Sequence, residues 1–254
     1  MDQNFGTVLK EWRQIRRMSQ LDLASEAGVS ARHLSFLETG RSQASRGMAL
    51  RLSEVLQMPL SESNRLLTAG GLAPAYGQRA AADAELAPLE TAMRWTLDNH
   101  APYPAMALDR HWVLVALNKP AQIFLGPMGL GQGDSLIEAM LDRADLRAAI
   151  ENIEEVDYQL LCRLRVELAH LGKDPVLSDL VARLSARVEG YVPPAQSPVI
   201  MATRYRMGDM VLSLFSTISQ FGGVGEIAYA DIKIEQLFPA DAATREILVA
   251  MAGG

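Results

Sequence analysis

Residues 19–41, SQLDLASEAGVSARHLSFLETGR, limit the possible folds more than any other stretch of the chain. Ser19 with Asp22 three residues on is a capping-box pattern that opens a helix. The helix carries Leu21, Leu23, Ala24 and Ala27 and stops at Gly28; Ser30 then caps a second one, which runs to about Glu38 and ends at Gly40. Counting Gln20 as the first position, a small residue falls at the fifth (Ala24), glycine at the ninth (Gly28), and Val29, Leu34 and Leu37 are apolar. Each has a steric reason in two short helices meeting at a wide angle. Ala24 lets the first helix approach closely, Gly28 permits the tight turn, and Leu34 and Leu37 pin the second helix to a core. A generic helical hairpin in a bundle is the alternative.

The flanking residues extend the same unit. Phe5, Val8, Leu9, Trp12 and Ile15 share one face of a helix over 5–15, with Lys10, Arg13, Arg16 and Arg17 largely off it. Ser45 and Ser61 are expected to cap helices over 46–57 and 62–69, with Pro59 between them and Gly70-Gly71 closing the last. Five short helices make an all-α helix-turn-helix domain over 1–72. The 254-residue chain carries a net charge of −6, but residues 1–70 hold 9 Lys and Arg against 7 Asp and Glu, and the remainder is net −8. Such asymmetry suggests two jobs in one chain.

Residues 73–88, rich in Ala, Gly and Pro, read as a linker. A second domain, 89–254, begins with a helix over 88–99. Then comes AMALDRHWVLVALN, two apolar runs about Asp109-Arg110 that read as a hairpin. Helical pattern returns at 120–126 and over about 135–189. Three strand-like runs follow at 199–207, 210–220 and 227–237, and a final helix runs through Met251. The expectation is an α+β domain: five antiparallel strands, a helical insertion, and helices collected on one face, enclosing a concave apolar space.

The 19–41 stretch resembles the phage-repressor, or xenobiotic-response-element, type of helix-turn-helix. That resemblance implies a phosphate contact from Gln20, base-edge contacts from Ala31 and Arg32 behind the Ser30 cap, and backbone contacts from Arg41. It also implies an Arg13–Glu38 pair bracing the first helix against the recognition helix. Arg can bond guanine bidentately, so Arg32 is the main specificity candidate, with His33 or Ser35 assisting. For His33 a solvated surface position is an equal alternative. Phe36 either meets a thymine methyl or packs. The runs YPAMALDRHWVLVALN, GDMVLSLFSTISQFG and IEQLFPADAATREIL, with the join NRLLTAGGLAPAY, resemble the MmyB-like ligand-binding domain that follows this helix-turn-helix in bacterial regulators. This implies a PAS-like sensor fold and long-chain fatty acids as a ligand class. Met106, Leu108, Trp112, Leu212, Leu214 and Phe215 are the candidate lining. Arg204 is a candidate carboxylate partner, with an exposed strand face as the alternative for it and Arg206.

Catalytic and metal chemistry find no foothold in the sequence. There is no GxSxG, HExxH or P-loop, and GPMGLGQGD lacks the dinucleotide spacing. The lone Cys162 and four scattered histidines give no metal-ligand set. No apolar run approaches a membrane span. The reading is a cytoplasmic one-component transcriptional regulator, not an enzyme, without a fixed cofactor. Its partners would be double-stranded operator DNA and a small apolar effector, a fatty acid or acyl derivative. A homodimer is expected, since one small module buries too little surface for high specificity. The competing reading makes the C-terminal domain only a dimerisation or protein-interaction module.

Overall fold

A computed structural model describes residues 4–78, 84–196, 199–223 and 225–253. The chain forms two compact units. Unit 1 comprises Met1–Arg79, Val166–Asp174 and Val224–Ile227, and unit 2 comprises Ala80–Arg165, Pro175–Gly223 and Ala228–Gly254.

Unit 1 is built on α1 (Phe5–Ile15), α2 (Gln20–Glu26), α3 (Ala31–Glu38), α4 (Arg46–Val55) and α5 (Leu60–Ala69). Each of the first four starts where a short polar side chain accepts a backbone N–H: Asn4, Ser19, Ser30 and Ser45. Ser19 and Asp22 form the complete capping box. α5 departs from the expected Ser61 cap. It begins at Leu60 behind Pro59, with no side-chain cap, because the fixed φ of proline already suits a helix entry. The apolar faces of the five helices close on one core, in which Val8, Leu9, Trp12, Leu34, Leu37 and Leu52 are almost wholly buried.

Residues 73–77, expected to be linker, are tied down. Asn64, buried on α5, accepts from the N–H groups of Ala75 and Tyr76 and donates to the Tyr76 carbonyl at 2.9 Å. Arg46 donates to the carbonyls of Ala73 and Pro74. The rest of the expected linker falls partly on 79–83, outside the described residues.

Unit 2 opens with α6 (Ala87–Asp98), β1 (Ala105–Leu108) and β2 (Leu114–Leu117). Next come α7 (Lys119–Leu125), α8 (Leu136–Asp142), α9 (Ala144–Ala148), α10 (Ile153–Leu171) and α11 (Pro175–Arg187). It closes with β3 (Thr203–Met207), β4 (Met210–Gln220), α12 (Ile227–Ala230), β5 (Lys233–Pro239) and α13 (Ala242–Gly253). Boundaries between the units fall inside α10, whose residues from Val166 belong to unit 1, and inside α12, whose Ile227 does as well.

The five strands form one antiparallel sheet in the order β2-β1-β5-β4-β3. Two expected strands shrink. β3 starts at Thr203 rather than 199, and the run from 227 opens as the short helix α12 before β5 begins at Lys233. All four residues of β1 are buried although their side chains alternate between faces, so this strand is covered on both sides.

Candidate nucleic-acid interface

The turn between α2 and α3 depends on Gly28, whose φ of +67° lies in the left-handed region that glycine enters without a Cβ clash. Ser30 then caps α3 by accepting the His33 N–H at 3.1 Å. Residue by residue, α3 divides into an inner and an outer face. Leu34 and Leu37 are buried, Ala31 is half-buried against the core, and Arg32 is exposed. His33, Ser35 and Phe36 are half-buried. Arg41 is exposed, and its backbone N–H donates to the Phe36 carbonyl at 2.8 Å.

Arg13 and Glu38 meet on the inner side. Arg13 Nε and Nη2 donate to Glu38 Oε1 and Oε2 at 2.6 and 3.0 Å, and Nη1 donates to the Met18 carbonyl at 2.8 Å. The fork is nearly dry, with 12% and 3% of the two side chains exposed. Gln20 Nε2 donates to Glu38 Oε2 at 2.7 Å, so its amide serves this inner network, and a phosphate contact from Gln20 would require it to leave. Burial pushes the Glu38 carboxyl up, but the hydrogen bonds from Arg13 and Gln20, aided by the Arg13 and Lys10 charges, outweigh it and hold it below its ordinary value. For Arg13 the hydrogen bond to Glu38 comes first and raises its already high value.

Gly6 is a part of the site that the sequence reading missed. On α1 it lies against the end of α3, where an added Cβ would stand 2.6 Å from the Leu37 carbonyl oxygen and nearer still to that of Glu38. Its signal was available: a glycine inside a strongly amphipathic helix marks a close approach.

In unit 2 the register settles which candidate lining residues share a face. Met106 and Leu108 pair with Glu235 and Lys233, and Glu235 pairs with Ile218. Strand alternation therefore puts Met106, Leu108, Leu212, Leu214 and Lys233 on one face. Phe215 stands on the other. It stacks on Phe238 with ring centroids 5.4 Å apart, beside the buried His100. His100 Nε2 faces the Leu237 carbonyl at 2.9 Å and so carries the proton, leaving Nδ1 to accept from Gln236. Arg204 is exposed on the outer strand face, 3.7 Å from Glu151, as is Arg206, which pairs with the same carboxylate.

The cation on the inner face is Lys233, which the sequence reading did not select. It is 4% exposed, with Nζ 4.1 Å from the ring centroid of Trp112. Arg163 Cζ stands 5.7 Å from the same ring. Trp112 itself is buried with φ +63°, a left-handed backbone that a bulky residue seldom takes and that clusters at functional sites. A lone lysine within the alternating apolar run IAYADIKIEQL was the available signal.

A capped five-helix unit with this glycine turn, followed by a five-stranded antiparallel sheet with inserted helices, defines a helix-turn-helix protein with an appended α+β domain. Residues 9–63 match the helix-turn-helix family model, and residues 89–251 match that of the MmyB-like transcription regulator ligand binding domain. The chain belongs to the latter family. It is 36% identical over 123 residues to a protein of Methanoculleus marisnigri and 32% identical over 160 residues to one of Methanococcoides burtonii, both named as HTH-type transcriptional regulatory proteins. The matches cover 46% and 59% of this chain and 39% and 45% of the two relatives, so the chain spans less than half the length of each. No helix among the described residues is long and apolar enough to cross a membrane.

Proposed function

We propose that the protein is a homodimeric regulator that reads operator DNA through the front of α3. Its C-terminal domain would sense an apolar, acid-ended small molecule, a fatty acid or acyl derivative. The observation that carries the DNA reading is the sorting of arginines in unit 1. Arg13 is locked inside by a bidentate carboxylate, whereas Arg32 is an exposed residue of the first turn of α3. A helix N-terminus disfavours a cation, so Arg32 costs the isolated fold a few tenths to about 1 kcal/mol that an anionic partner would recover. The sensor reading is supported by the family of residues 89–251 and by the meeting of Lys233 and Arg163 at Trp112 beside the apolar Met106–Leu108 strand. Two cations beside the apolar Met106 and Leu108, on a face that also carries Glu235, suit a ligand with one carboxylate end. Lys233 replaces Arg204 in this role, because Arg204 stands on the outer face.

Two measurements test the reading on the full chain. Selection from random duplexes should return a twofold-symmetric site, and mass spectrometry of lipid extracts should return an acyl compound. Sequence-blind binding would refute the first part. An empty protein that is also unmoved in melting temperature by any fatty acid or acyl thioester would refute the second and leave a dimerisation module.

A further inference from the structure

The guanidinium of Arg32 does not hang free in solvent. Its Cζ lies 5.4 Å from the ring centroid of Phe36, four residues later on the same face of α3. Phe36 is half-buried, and its backbone is held at the end of the helix, where its carbonyl accepts from the N–H groups of both Arg41 and Ser42, at 2.8 and 3.2 Å. A guanidinium held over a ring by cation–π attraction keeps its N–H donors available. An arginine so placed can offer them to a two-pronged acceptor such as guanine O6 and N7. Beside those donors lies the apolar ring of Phe36, and the apolar feature a major groove offers is the thymine methyl. The two groups are 5.4 Å apart, less than two base-pair steps of ~3.4 Å each, so they can reach neighbouring base pairs.

We propose that Arg32 and Phe36 act as a single reader of a guanine with a thymine on the adjacent base pair. Arg32 takes the guanine edge, while Phe36 is the positioning residue for Arg32 and the contact for the methyl. This rests on α3 being the helix that reads DNA.

The test uses the full-length protein and the site it selects from random duplexes. That site should contain G beside T, and replacing that thymine by deoxyuridine, which removes only the methyl, should weaken binding about fourfold, the worth of one buried carbon. Phe36→Leu should flatten the preference for G as well, with nonspecific affinity unchanged. Phe36→Tyr, which restores the ring, should recover the G preference; it also keeps the question open to measurement if the leucine variant folds poorly. A protein that selects a site indifferent to Arg32→Ala, or whose G preference survives Phe36→Leu with deoxyuridine binding as well as thymine, would overturn the paired reader while leaving DNA recognition intact. A wild-type protein that selects no site at all would overturn both.

Discussion

Glu38 is held between two opposing influences, and the balance makes the recognition helix sensitive to acid. Burial favours its neutral form, but Arg13 and Gln20 bond to the ionised one and win, so its folded pKa lies below the ordinary 4.5. Glu11 behaves alike: burial raises it, and its bonds to Lys173 and Arg65 bring it below its ordinary value. A carboxyl depressed in the folded state contributes stability that is present above its unfolded pKa and is lost as pH falls through the folded one. The melting temperature of unit 1 should therefore drop as pH falls from about 5 towards 3. Glu38→Gln should start lower at neutral pH and lose less over that interval; equal acid sensitivity in the two proteins would place the titration elsewhere. Arg13→Ala tests the same fork from the other side. It strands a 3%-exposed carboxylate and should cost about 3 kcal/mol of stability at pH 7, visible in urea unfolding. Base preference should persist in whatever fraction remains folded, which separates Arg13 from Arg32. Arg32→Ala should leave unfolding almost unchanged and cost roughly 1–3 kcal/mol of operator binding, with preference relaxed at one base position.

Among elements, α1 and α3 are coupled by an approach closer than side chains allow. Gly6 brings the α1 backbone against the last carbonyls of α3, and Arg13 spans the same two helices farther along. Gly6→Ala should force the pair apart, destabilise unit 1 by about 1–3 kcal/mol as other overpacked contacts do, and weaken operator binding beyond the loss of folded protein. Unchanged melting and unchanged affinity would mean that α3 has slack. This contact also marks where sequence reading stops. The capping residues and the Ala24, Gly28 and Leu34 spacing are local signals, and they placed α2 and α3 to within a residue. Whether Gly6 meets solvent or a backbone depends on which helix α1 crosses, and no local pattern carries that. The same holds in unit 2. The alternating runs identified the strands, but only the register separates Phe215 from Leu212 and Leu214, and only the path of the turn at 109–112 brings Trp112 under Lys233. In the sequence Arg204 and Lys233 look alike, each a cation in a strand-like run. Their difference is one of strand parity and neighbours.

For the whole molecule, sensing is bound by a thermodynamic condition. A ligand can change DNA affinity only by binding the DNA-competent and incompetent states unequally. A coupling of about 1–3 kcal/mol corresponds to roughly 5–150-fold in operator affinity, and the operator must change ligand affinity by the same factor. Operator DNA with half-sites about 34–36 Å apart, one helical turn or a multiple, is the ligand expected of a twofold dimer, and footprinting of a single asymmetric half-site would argue against it. With that operator in hand, titration with fatty acids and acyl-coenzyme A thioesters should shift the Kd for DNA, and titrating the ligand with and without operator should return an equal factor. Lys233→Met keeps the length of the chain and removes the charge. It should erase the preference for a free acid over its methyl ester, and with it the acid's effect on DNA, while leaving binding of the uncharged ester in place. An acid-dependent shift that survives Lys233→Met would move the carboxylate to another cation. A ligand that binds tightly yet leaves the operator Kd where it was would show that the domain binds without sensing, since affinity shared equally by two states shifts neither.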